Sequence, residues 1–190
     1  MSIENIIKES IEVKQKIMSD ADFVRRIEDA ANICVSTLKN EGKIHFCGNG
    51  GSAADAQHLA AELSGRFYYD RPALNAEALH VNSSYLTAVA NDYSFDDIYS
   101  RMIDASAKPG DVLLAISTSG NSNNILKAVD AAKNKNMKVI GMTGATGGKM
   151  AMLCDVLLNV PSTCTPRIQE SHIMIGHILC EMIESTIFPK

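Results

Sequence analysis

The chain has no C-x-x-C pair, no long Lys or Arg run and only five prolines among 190 residues. Each absence excludes something. No apolar stretch approaches the ~18 residues of a membrane span, and charges interrupt the first residues where a secretory leader needs an apolar region. A net charge of −4 without a basic tract argues against gripping a phosphate backbone over a large surface, so neither nucleic acid nor membrane is an expected partner. The five cysteines, Cys34, Cys47, Cys154, Cys164 and Cys180, are odd in number and lie mostly in apolar stretches. They read as reduced thiols of a cytoplasmic protein. With 46% hydrophobic and 21% charged residues the composition is globular, and the length suits a single domain spanning 1–190.

Apolar residues recur at helical spacing over 6–38, broken near Ser19 and Asp20, which predicts two N-terminal helices within that domain. A short apolar run at 44–47 leads through Gly48-Asn49-Gly50-Gly51-Ser52 into a helix over 53–63, with Ser52 and Asp55 spaced as a capping box. The pattern recurs as a strand at 76–81 and a helix at 83–90, then a strand at 112–116 and a helix at 123–134. Runs at 139–142 and 156–160 supply two further strands, and 167–187 reads as a long final helix with Thr165 as its cap and Pro166 in its first turn. Strands alternating with helices predict an α/β fold whose parallel sheet is covered on both faces, because parallel neighbours need a helical crossover. Ligands then gather beyond the carboxyl ends of the strands.

Two loops fall there. The segment 117–122 offers the hydroxyls of Ser117, Thr118, Ser119 and Ser122 at a helix start, where amides and the helix dipole favour a phosphate. An ordinary Ser-rich turn with one capping serine is the plainer alternative. The loop 48–53 matches a loose G-x-G-x-x-A dinucleotide fingerprint, with Glu77 as a distant candidate for the ribose carboxylate. A true P-loop is absent, because Gly148-Lys149 is followed by Met150. His58 and Glu62, four residues apart, share one helix face and could form a metal or proton-transfer site, although taken by themselves they read better as a surface His–Glu pair. On the last helix Gln169, Ile173 and His177 form one stripe, and His172 and Glu170 point elsewhere. That stripe also suits a face turned to water or to a partner subunit.

Cys47–Ser52, Asp55–Leu63, Asn91-Asp92-Tyr93, Ile116–Ser122 and Arg167–His172 together resemble the phosphoheptose isomerases, the sedoheptulose 7-phosphate isomerases of the sugar-isomerase (SIS) domain superfamily. The likeness spans nearly the whole chain in order, and the five segments are specific as a set. It implies a three-layer α/β/α sandwich, flavodoxin-like, with a five-stranded parallel sheet and N-terminal helices. It also implies a homotetramer with sites at subunit boundaries, and an aldose–ketose isomerisation feeding surface heptose synthesis for lipopolysaccharide or capsule. By the same resemblance Ser117, Thr118, Ser119 and Ser122 hold the substrate phosphate, and Asn49, Gly50, Gly51, Ser52, Asn91 and Asp92 contact the sugar. His58, Glu62, Gln169 and His177 correspond to zinc ligands, with Glu62, Gln169 and the loops also touching substrate and Glu62 with His177 as the acid–base pair. Gln169 and His177 are eight residues apart, a rise of about 12 Å on a straight helix, so serving one ion requires side chains leaning from opposite turns, an irregular helix or different subunits. Where some members carry an acidic residue before the Arg-Ile-Gln-Glu run this chain has Pro166, so a role resting on that carboxylate does not transfer. Non-catalytic relatives that bind a bacterial replication initiator lack the matching acid and imidazole, and sugar-phosphate-sensing SIS modules accompany DNA-binding segments absent here.

Overall fold

The computed structural model describes residues 2–190. Two helices open the chain, α1 (Ile3–Ser19) and α2 (Ala21–Lys39). The break between them is a cap: Asp20 Oδ1 accepts the Asp22 and Phe23 amides, each at 3.0 Å, stopping one helix and starting the next. Five strands and five helices follow as β1 (Ile44–Gly48), α3 (Gly51–Ser64), β2 (Ala76–Ala78), α4 (Ser83–Asp92), α5 (Ile98–Ser106), β3 (Val112–Ile116), α6 (Asn123–Asn134), β4 (Lys138–Thr143), β5 (Val156–Asn159) and α7 (Thr165–Ile187).

The strands form one parallel sheet in the order β2-β1-β3-β4-β5. β1 and β3 are buried along their whole length, as expected of central strands covered on both faces. Ile44, Phe46, Val112, Leu114 and Ile116 face a core shared with α1, α2, α3 and α7, while Cys47, Leu113, Ala115 and Val139 face α4, α5 and α6. This is the expected three-layer α/β/α sandwich. The chain runs from β1 outward to β2, then returns to β3 on β1's other side, so strand order reverses between β1 and β3. A crevice at the carboxyl ends of those two strands is therefore dictated by topology.

The structure departs from the sequence reading in four places. β2 stops at Ala78 rather than 81, leaving Val81 half exposed; it is an edge strand, and edges are kept short. A helix at Ile98–Ser106 has no counterpart in the sequence pattern, since its buried residues Ile98, Tyr99 and Ile103 span barely two turns and give little periodic signal. The α3 cap is Gly50 and no side chain bonds there: Ser52 is buried, and Asp55 serves elsewhere. Gly50 has φ +55°, a conformation glycine adopts without penalty and serine does not. The α7 cap is Cys164 rather than Thr165, with Pro166 in the first turn as expected.

α3 and α7 lie side by side and run in the same direction. The Gln169 amide nitrogen sits 2.6 Å from where a Gly51 side chain would begin, and Leu59 fills the space beside Gly176. Farther along, His58 meets His177. Arg167 ties α1 to this pair, donating to the Ile6 carbonyl and to Glu170, which accepts from Ser10.

Candidate active site

The loop after β3 carries the hydroxyls. Ser117 Oγ lies 3.1 Å from Ser122 Oγ and 3.5 Å from Ser119 Oγ, so three serines converge at the start of α6. Ser122 occupies the cap position of α6 yet bonds none of its amides, leaving its hydroxyl directed into the cluster. Thr118 and Ser119 open onto a cavity of about 290 Å³ also lined by Thr146, Ser162, Thr163 and Thr165. Hydroxyl donors beside unpaired helix amides suit an anion.

Asn49, after β1, reaches across the crevice. Its side-chain amide and that of Asn124 exchange two hydrogen bonds of 2.8 Å, locking the β1 loop to the first turn of α6. Tyr99, on α5 in the same layer as α6, donates to the Gly48 carbonyl. Neither partner was singled out in the sequence. Asn124 carries a signal nonetheless, because an asparagine only 2% exposed must find partners for its amide.

The titratable groups gather along the α3–α7 seam. His58 Nε2 is 3.0 Å from Glu62 Oε1, and the His58 ring meets the His177 ring edge-on with centroids 5.1 Å apart. Phe67, from the loop following α3, packs its ring 5.8 Å from that of His177. Asp55, one turn before His58, is half-buried; burial raises its carboxyl above the ordinary range, opposed by the fields of His58 and His177. It belongs to the same neighbourhood and not to a capping box.

His58, Glu62 and His177 are thus brought together within one chain. Gln169 is not placed with them: it rests against Gly51 near the start of α3, while His177 meets the middle of that helix. Among the described residues no three His, Cys, Asp or Glu side chains are drawn into ligating positions around one point. Asn91 and Asp92, exposed at the end of α4, bond one another at 2.9 Å and neither loop. His172 is fully buried, its Nε2 on the Thr143 carbonyl at 3.1 Å. Glu77 pairs with Lys43 at 3.1 Å and lies opposite His45 in the strand register, away from the carboxyl-end crevice. The dinucleotide reading loses its ribose carboxylate.

The SIS domain family matches residues 8–144, most of the chain. The chain belongs to that family. A phosphoheptose isomerase of Aneurinibacillus thermoaerophilus is 51% identical over 186 residues, covering 98% of this chain and 94% of the relative. The solved phosphoheptose isomerase GmhA of Neisseria gonorrhoeae superposes with a TM-score of 0.90 at 47% identity, covering 96% of this chain and 97% of the other. That of Francisella tularensis gives 0.92 at 39% identity, covering 96% of both chains. The SIS fold of this chain therefore matches theirs nearly end to end, N-terminal helices included.

Proposed function

We propose that this SIS chain interconverts sedoheptulose 7-phosphate and D-glycero-D-manno-heptose 7-phosphate through an enediolate, supplying heptose for a bacterial surface polymer. The observation that carries this reading is the meeting of Glu62, His58 and His177 on the α3–α7 seam, in a fold whose switch-point crevice also holds a serine cluster. An aldose–ketose exchange needs those two halves. The Ser117–Ser122 loop holds the phosphate through hydroxyls and the α6 amides, anchoring the substrate at a point remote from the reacting carbons. Glu62 takes a proton from one of the two adjacent carbons and returns it to the other. His177 holds or donates the proton at the carbonyl oxygen, and the roles exchange in the reverse direction. Asn49, held by Asn124 at the end of β1, bonds sugar hydroxyls in this reading.

The donor chemistry of His58, Glu62 and His177 fits zinc, which takes imidazole and carboxylate ligands. Gln169 would complete the set by leaning along α7 or from a neighbouring subunit. Bound there, the ion would polarise the ketose carbonyl. Glu62 bound tightly to a metal loses basicity, so its pairing with His58 bears directly on its reactivity.

Assembly as a homotetramer is part of the same proposal. Ile3, Ile7 and Ile11 on α1 are 73%, 54% and 49% exposed and Met18 is 74% exposed, an apolar stripe that association would cover. Among the described residues no helix is long and apolar enough to cross a membrane, and all five cysteines are free. The proposed location is the cytoplasm, where thiols stay reduced.

Incubating the purified protein with sedoheptulose 7-phosphate and following the aldose product tests the assignment. Turnover is expected, and its absence with and without added zinc would overturn it.

A further inference from the structure

Beyond the reacting groups, the chain buries an ion pair that the chemistry above leaves unused. The Arg71 and Glu184 side chains are 2% and 1% exposed, with Nε 2.9 Å from Oε1. Two buried charges are expensive to desolvate, and apolar groups of similar size often stabilise a core as well. Their placement therefore calls for a reason besides stability.

Every other bond of the pair goes to backbone. Glu184 accepts the amides of Phe67 at 2.9 Å and Tyr68 at 2.7 Å. Burial pushes its carboxyl up, but those two amides and Arg71 outweigh it and hold it below the usual range, as a carboxylate. Arg71 Nη2 donates to the Glu62 carbonyl at 2.8 Å, and Nη1 donates to the carbonyls of Leu63 at 2.7 Å, Gly65 at 3.0 Å and Pro72 at 3.0 Å. The carbonyls of Glu62 and Leu63 belong to the last turn of α3, which has no partners within the helix, so the guanidinium caps it. Glu62 is also the proposed base. Glu184 lies on α7 two turns beyond His177, on the same side of the helix. The pair thus connects the backbone of Glu62 to the helix that carries His177. A second connection runs through Phe67, whose amide is held by Glu184 and whose ring lies against His177.

We propose that Arg71 and Glu184 are positioning residues whose clasp fixes the separation of Glu62 and His177 across the α3–α7 seam, and thereby the rate of proton transfer. The clasp rests on the isomerase reading of this site. It touches no substrate. Proton transfer demands near-contact geometry, and a displacement of about 1 Å can cost on the order of a hundredfold in rate. The phosphate loop stands on β3 and α6 and does not share these bonds.

Two variants test the clasp. Glu184→Gln keeps the shape but removes the charge and one amide acceptor. Arg71→Lys keeps the charge but replaces a planar fork with a single ammonium that cannot serve four carbonyls and a carboxylate. Each should lower kcat by about tenfold or more while leaving the apparent KM for sedoheptulose 7-phosphate within about twofold. In spectra of protein labelled at the histidine rings, the His58 and His177 signals should shift while those of His45 and His172 stay. A folded variant with kcat within about twofold of wild type overturns the proposal. So does a loss of kcat in which all the histidine signals move together, which marks general loosening. If Glu184→Gln fails to fold, Arg71→Lys decides by the same criteria. Should the wild-type protein not turn over sedoheptulose 7-phosphate, the isomerase reading fails separately. The spectra then decide for the clasp alone: selective movement of His58 and His177 sustains it, and unmoved signals overturn it.

Discussion

A single hydroxyl at the start of α6 has a measurable role if the serine cluster binds phosphate. Ser119 is exposed and its Oγ accepts the Asn121 amide at 3.1 Å, so its removal costs the fold little. A hydrogen bond to a charged group contributes about 1.5–3 kcal/mol, so Ser119→Ala should raise the apparent KM by about tenfold or more with kcat less affected. An unchanged KM in steady-state kinetics would count against the phosphate assignment. His172 makes a prediction about stability instead. Burial lowers it from 6.5 to about 4 despite the Thr143 carbonyl, so the unfolded chain takes up a proton first as pH falls. Its contribution is complete above pH 6.5 and is lost as pH drops towards about 4. In His172→Gln, whose amide can still donate to Thr143, the denaturation midpoint should fall less steeply over that window; an unaltered slope contradicts this. The sequence revealed His58 with Glu62 and the four hydroxyls because local spacing alone puts them together. Arg71 takes its meaning from Glu184, 113 residues away, Asn124 from Asn49 across the crevice and Asp55 from the field of His177, and no local pattern announces them.

At the scale of the element, the phosphate loop is braced from behind. Gly120 has φ +66° and a side chain there would begin 2.1 Å from the Gly147 carbonyl oxygen, while one at Gly148, at φ +53°, would begin 2.4 Å from the Ser119 carbonyl oxygen. Two backbones touch, with no flexible side chain to yield. Gly120→Ala should therefore destabilise the protein by more than about 1 kcal/mol and raise KM as the loop is displaced. Denaturant unfolding measures the first effect, and a variant of wild-type stability and affinity would remove the bracing role. β3 and α6 were legible to the residue, since a continuous apolar run and an amphipathic repeat meet at a polar loop. β2 is shorter than its pattern predicts because Leu79 and Val81 extend the apolar run past the point where the edge strand turns away. The capping box failed because Ser52 is drawn into the packing beneath Gly48, a tertiary demand that overrides a local one.

Across the whole molecule, sheet order and the parallel packing of α3 on α7 assemble the site from three distant segments. Alternating strands and helices made the layered architecture readable, and topology then places the crevice between β1 and β3. The meeting of His58, Glu62 and His177 is expected only through the family resemblance, because nothing in either helix alone states that His58 faces His177. If a metal sits there, removing it with a chelator should lower kcat and restoring zinc should recover it; a stripped enzyme of full rate would make the ion dispensable. The central claim is that carboxylate 62 moves the proton across this seam. Comparing kcat of Glu62→Gln with wild type on sedoheptulose 7-phosphate, with fold and metal content matched, tests it most directly. A loss on the order of 10²–10⁴-fold is predicted, the usual contribution of a general base, and a rate near that of wild type would contradict the account.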